Sequence, residues 1–162
     1  MPTPLAGPSY LVTASEVATL QFTREVLDIP VPRVLTWSGA KRNSVNSVGA
    51  DYIIMEEVTG VCLGLRWKNF LLPEDVKPIL ASILDVEAKF QSLRFSHIGS
   101  LYFKEDVSEE LQSLPLFSEN IDPHLAQFSE RYRIGPIIDR QWWRGVRASM
   151  DLDRGPCKCF LL

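Results

Sequence analysis

Few side chains of this chain stand at spacings that do chemistry on their own. Its three cysteines, Cys62, Cys157 and Cys159, are too few and too unevenly placed for a four-ligand zinc site or a disulfide framework, so a reducing compartment is the simpler reading. The two histidines, in Ser96-His97-Ile98 and Pro123-His124-Leu125, read as surface or packing residues. Thr13 and Glu16 form the T-x-x-E pattern of a capping box, in which the glutamate takes up an orphan amide at a helix start. The final Cys159-Phe160-Leu161-Leu162 fits a C-terminal prenylation box whose leucine favours geranylgeranyl. No polybasic run precedes it, and one lipid signal anchors weakly. A chance match in a divergent tail is the preferred reading, and a membrane partner is not expected.

The chain that must position these groups has 162 residues, a length at which a compact fold buries roughly 70% of the surface its unfolded chain exposes. Hydrophobic residues make up 46% and charged residues 23%, a globular balance far from that of disordered chains. A net charge of -3, from 17 basic and 20 acidic residues, lacks the basic excess expected of a nucleic-acid binder. No apolar run reaches the roughly 20 residues that span a bilayer. Met1–Tyr10 has neither the layout of a secretory signal nor the Arg-rich amphipathic character of a transit peptide.

Prolines and a glycine in Met1–Tyr10 suit an extended lead-in. Val17, Leu20, Arg24 and Leu27 then recur at helical spacing, so the pattern predicts a helix over residues 14–27, ended by Pro30 and Pro32. Val31–Trp37 reads as a short strand. Asp51–Val58, with Tyr52, Ile53, Ile54 and Met55 in succession, reads as a strand buried on both faces. The polar Ser38–Ala50 connection is short for a packed crossover helix, so the two strands should pair antiparallel. Residues 73–93 give the strongest helical pattern, through Val76, Leu80, Ile83, Ala88 and Phe90. Beyond it, Phe95–Phe103 reads as a strand, Asp106–Gln112 as a short turn, Pro115–Gly135 as mostly irregular and Trp142–Met150 as a further helix.

Three blocks, Ser15-Glu16-Val17-Ala18-Thr19-Leu20, Ile29-Pro30-Val31-Pro32-Arg33-Val34 and Gly49-Ala50-Asp51-Tyr52-Ile53-Ile54-Met55-Glu56, resemble the amino-terminal half of fungal aminoglycoside-phosphotransferase-domain proteins. Gly99-Ser100-Leu101-Tyr102-Phe103, Ile134-Gly135-Pro136 and Met150-Asp151-Leu152-Asp153-Arg154-Gly155-Pro156 extend the resemblance in the same order to about residue 156. The fold it implies is α+β, a partial protein kinase-like fold. Residues 1–72 would be a partial small lobe and hinge, 73–156 the start of a large lobe with a family-specific insert, and 157–162 a divergent tail. It also implies a mitochondrial setting, with ATP and magnesium as cofactors of the family.

By this resemblance Glu16 would pair with a phosphate-binding lysine or arginine of a preceding strand, an ion pair that places the cation on the nucleotide. The capping-box role remains the alternative. Met55 would stand at the back of a purine pocket or, alternatively, simply pack in the core. The Glu56 carbonyl and the Val58 amide would meet the adenine edge. Phosphoryl transfer also needs a positioned carboxylate and magnesium ligands. The family's His-Gly-Asp type loop and Asp-centred metal motif have no counterpart here. Asp139, Asp151 and Asp153 lie outside any such loop and read as solvated or structural.

No catalytic residue or metal ligand is therefore assigned, and the strand bearing the phosphate-binding cation is expected upstream of Met1. A phosphotransferase-type unit inactive in this chain, or a non-catalytic kinase-like interaction module, are the two readings. The apolar face of residues 73–93 has no partner in the sequence pattern, and each large side chain left uncovered forfeits about 1.5–3 kcal/mol. The expressed chain is expected to melt broadly and to bind a hydrophobic dye. A sharp melt without dye binding would contradict this.

Overall fold

The computed structural model describes residues 7–39, 47–70, 72–118 and 122–158. The Cys159 box thus falls outside the described residues. Pro8 starts the chain's first helix, its carbonyl accepting the amides of Leu11 and Val12 at 2.9 and 3.1 Å. Helix α1 (Ser9–Glu25) therefore begins a turn earlier than residue 14, and no side chain caps it. This corrects the capping-box reading. Thr13 is buried inside the helix and Glu16 lies in its second turn, because a proline with its φ already fixed does the starting. The helix ends before Asp28, which takes a left-handed φ of 48°.

Strands β1 (Val34–Ser38) and β2 (Tyr52–Met55) pair antiparallel, as expected, with Trp37 opposite Ile53 and a bulge between Val34 and Thr36. The expectation that β2 is buried on both faces does not hold. Ile54 and Met55 are 49% and 39% exposed, since the sheet has only two strands and α1 as its helical neighbour.

A helical turn, α2 (Leu63–Arg66), leads to α3 (Pro73–Gln91), whose bounds agree with the sequence pattern. Proline opens α3, where a missing amide donor costs nothing, and the Asp75 carboxylate accepts the Leu72 amide at 3.3 Å. Only one side of α3 is seated. Val86 packs against the core, Lys89 donates to the Asp28 carbonyl at 2.9 Å, and Leu93 is buried just beyond the helix. Leu80, Ile83, Leu84 and Phe90 are exposed, as the unpartnered apolar pattern implied.

The second half is less regular than the sequence suggests. The expected strand over Phe95–Phe103 divides into a bridge from Phe95 to Phe117, β3 (His97–Ile98) and β4 (Ser100–Phe103). A helical turn, α4 (Glu109–Gln112), occupies the expected short turn, and α5 (Pro123–Ala126) follows. The stretch read as irregular contains β5 (Tyr132–Gly135), which pairs antiparallel with β4, Phe103 opposite Tyr132 and Ser100 opposite Gly135. The expected helix over Trp142–Met150 is one turn, α6 (Arg140–Trp143), and a 3-10 turn, divided at Gly145 with φ of +61°. Finally β6 (Cys157–Lys158) pairs with β3. The chain is α+β, and its described residues form three two-stranded sheets.

All four residues of β5 are buried, Arg133 included. Strand patterns are read from alternation, and a buried arginine inside Tyr-Arg-Ile-Gly hides the strand. Its guanidinium is satisfied by main-chain carbonyls of Gln112 at 2.8 Å, of Tyr132 at 2.7 Å and of Ser129. The core is the buried face of α1 laid on this hairpin: Val17, Ala18 and Phe22 against Phe103, Tyr132 and Ile134, with Leu116 and Phe117. The Phe22 ring stands edge-on to Tyr132 at 5.2 Å between centroids and lies 5.9 Å from Phe95. Arg131 ties the same helix from outside, binding Glu25 and Gln21.

Two glycines are set by close approach. A Cβ on Gly99 would lie 2.3 Å from the Gly135 carbonyl oxygen, and one on Gly135 would lie 2.8 Å from the Tyr102 ring. Gly99→Ala and Gly135→Ala should each destabilise by about 1–3 kcal/mol or more through overpacking. Phe22→Ala should cost about 3–5 kcal/mol, whereas Leu84→Gln on the open face of α3 should be nearly neutral. Chemical denaturation of the four variants checks these values.

Candidate functional site

Helix α1 presents its buried residues to the β4–β5 hairpin and its next face to β2. Ser15, Glu16, Thr19 and Leu20 on α1, Ile53 and Met55 on β2, and Ile138 together line a hollow of about 400 Å³. Glu16 and Met55, two of the four residues singled out in the sequence, are thus brought together. Glu16 is the one acidic group in an otherwise mostly apolar lining, and Met55 closes the end of β2. Leu20 was legible as part of the helical pattern. Ile138 follows the Ile134-Gly135-Pro136 block and had no signal of its own.

The other two residues lie outside that lining. Glu56 turns to the start of β1, where its carboxylate meets the Arg33 side chain at 3.0 Å and the Arg33 amide at 3.1 Å. Its own amide donates to the Arg33 carbonyl at 2.9 Å. These contacts hold the Glu56 carboxyl below its ordinary value, first through the Arg33 main-chain amide and further through the guanidinium, with desolvation opposing. Val58 is 70% exposed in a stretch without regular structure beyond β2. Among the described residues no hydrogen bond occupies the Glu56 carbonyl or the Val58 amide.

The remaining polar groups brace turns. Asp139 accepts the Gln141 amide at 2.7 Å and Asp153 the Gly155 amide at 2.8 Å. His97 Nδ1 lies 2.7 Å from Ser96 Oγ, and His124 sits against Phe128. Among the described residues no group of three or more His, Cys, Asp or Glu side chains is arranged to hold a metal ion. No helix among them is long and apolar enough to cross a membrane. The blocks that carry the family resemblance also do structural work. Ser100 Oγ accepts the Ile138 amide at 3.0 Å, the Tyr102 hydroxyl donates to the Pro136 carbonyl at 2.9 Å, and burial pushes the Tyr102 phenol well up from its ordinary value.

By class, then, this is an α+β chain with an apolar, singly acidic hollow between its first helix and the end of a hairpin strand. It is 41% identical over 158 residues, 98% of its length, to a subtelomeric hrmA-associated cluster protein of Aspergillus fumigatus, of which it covers 28%. It is also 37% identical over 136 residues to altered inheritance of mitochondria protein 9, mitochondrial, of Candida albicans, covering 80% of the chain and 21% of that protein. The protein of the same name in Debaryomyces hansenii is 32% identical over 134 residues. The chain thus spans between 20% and 28% of the length of these curated relatives.

No family model matches the chain, and no solved structure does. The relatives' names agree with a fungal and mitochondrial kinship and state no kinase or phosphotransferase activity.

The Glu56–Arg33 pair yields a pH dependence. The folded carboxyl is depressed below its ordinary value of 4.5, so its contribution is in place above that pH and is lost as the pH falls through the folded value. Thermal melts across the acid range should show this loss in the wild type. Glu56→Gln should be less stable near neutrality and less sensitive to acid.

Proposed function

We propose that this chain is the nucleotide-facing part of a kinase-like unit of the aminoglycoside-phosphotransferase type. ATP-dependent transfer to a small-molecule hydroxyl belongs to the complete unit, and this chain alone is inactive. The observation that supports the reading is the hollow of about 400 Å³ bounded by Glu16 and Met55. From Met55 a stretch without regular structure leads through Glu56 to Val58, and its Glu56 carbonyl and Val58 amide would offer an acceptor and a donor that an adenine edge matches without any particular side chain. A flexible thioether at the end of β2 suits a flat aromatic ring.

These residues fit the purine and do not fit the triphosphate. Among the described residues the lining holds no lysine, arginine or histidine, and its one charged side chain, Glu16, has the sign of the phosphates it would face. Arg33 is committed to Glu56. No phosphoryl step or magnesium site is assigned to this chain, since transfer rests on placed cations and carboxylates that its sequence does not supply. The mitochondrial relatives extend a mitochondrial setting to this reading.

A second reading, a non-catalytic interaction module, is favoured by one observation. Val58, Val61, Leu65, Trp67, Leu72 and the outer face of α3 are exposed in succession along one part of the chain. Such surface usually marks a site of association.

Purified chain with ATP and magnesium should show no turnover on hydroxyl or amine acceptors. Calorimetry should find adenosine binding at least as tightly as ATP, and Met55→Trp, which fills the hollow, should abolish it. ATP binding far more tightly than adenosine, or turnover lost on mutating a residue of this chain, would overturn the assignment. Failure of adenosine to bind, with concentration-dependent self-association in gel filtration, would favour the second reading.

A further inference from the structure

Residues 137–154 form a knot organised by one side chain. The Arg154 guanidinium lies 3.9 Å over the Trp143 ring and donates to the carbonyls of Arg147 at 2.6 Å and Met150 at 3.2 Å. It also reaches those of Leu152 and Trp142 at 3.4 and 3.5 Å. The Trp143 indole donates to the Ile137 carbonyl at 2.8 Å, and the Ile137 amide donates to the Arg154 carbonyl at 2.8 Å. Four carbonyls converging on one cation bring residues 142, 147, 150 and 152 around a common centre, so their side chains radiate from a small rigid body.

What that body displays is exposed arginine and apolar side chains together, within a segment whose four arginines exceed its three aspartates by one charge. Trp142 is 42% exposed, Met150 47% and Val146 78%. Arg140, Arg144 and Arg147 are exposed as well, and among the described residues none of the three pairs with a carboxylate. Three aspartates share the segment. Two are turned to main-chain amides, Asp139 to Gln141 and Asp153 to Gly155, and Asp151 is exposed. These three arginines have no carboxylate partner among the described residues, though Arg147 donates to the Gln141 carbonyl at 2.9 Å. Beside an exposed tryptophan and two exposed aliphatic side chains they match a bilayer interface, where guanidinium meets phosphate and the apolar groups enter the headgroup boundary.

We infer that residues 140–150 are a docking surface for an anionic phospholipid membrane. Nucleic acid shares the phosphate chemistry, but it has no use for Val146 and Met150, which a lipid surface buries. The surface is peripheral and reversible, because three arginines and three apolar side chains fall well short of a membrane anchor. It does not rest on the nucleotide reading, although Ile138 of the same segment lines that hollow.

Flotation of the full chain with phosphatidylcholine vesicles, with and without phosphatidylglycerol, tests this. Binding should require phosphatidylglycerol, weaken with salt, and fall roughly fivefold for each arginine removed. The double variant Arg140→Glu with Arg144→Glu should lose binding, and Val146→Ser, at the most exposed apolar position, should weaken it while leaving the circular dichroism spectrum unchanged. Lys68→Glu with Lys77→Glu makes the same change of net charge elsewhere and should leave binding intact. The inference is overturned if neutral vesicles bind equally well, if neither vesicle binds, if the lysine variant loses as much as the arginine variant, or if Val146→Ser has no effect while an RNA oligonucleotide competes fully.

Discussion

The seating of Phe22 on the β4–β5 hairpin is the contact from which the rest of this structure takes its position. Its ring meets Phe95, Phe117 and Tyr132, and the hairpin continues the cluster through Phe103 to Trp37 on β1. Aromatic groups of this size carry the largest area terms in a small core, and edge-to-face packing makes the contact directional. With one face of α1 fixed to the hairpin, the helix can offer only its neighbouring face to β2. The hollow at Glu16 and Met55 follows from that single orientation.

Polar groups inside this arrangement are treated in one consistent way. Arg133 is buried without a carboxylate and is satisfied by carbonyls, as is the Tyr102 hydroxyl, and Arg154 gathers four carbonyls over a tryptophan ring. A buried cation left unpaired is costly, and hydrogen bonds to a charged group are stronger than neutral ones. Carbonyl-bound arginines therefore lock loops that have little regular structure of their own. This explains how a segment made mostly of turns holds a defined shape between β5 and β6.

The outer face of α3 stands apart from this economy. Its inner edge is held by Val86, Lys89 and Leu93, while Leu80, Ile83, Leu84 and Phe90 meet solvent. Apolar area left in water gives none of the stabilisation its burial would bring, so the helix depends on its own proline start and capping at Asp75 more than on packing. Both functional readings have to account for this surface. In the first reading further helices of a complete unit would cover it, and in the second a partner would.

Local signals in the sequence were sufficient for α3, where a proline start and a 3.6-residue apolar period act within one segment, and for the antiparallel β1–β2 pair, where a short polar connection leaves little choice. Glu16 and Met55 were singled out as site residues by the family resemblance and not by a local signal. The start of α1 was misread because the T-x-x-E pattern is a local signal that Pro8, five residues before Thr13, overrides. Strand β5 was invisible because the partners that make Arg133 tolerable inside a strand include a carbonyl 21 residues earlier, at Gln112. The blocks around Gly99, Gly135 and Arg154 were recognisable as patterns, but their purpose was not: Gly99 lets two backbones touch, Gly135 makes room for the Tyr102 ring, and Arg154 is a cation closing a knot. Residue type and period determined the elements of this protein. Which faces met, and so where a hollow opened and which arginines stayed without a carboxylate partner, was decided only by contacts between segments far apart in the chain, which no local periodicity encodes.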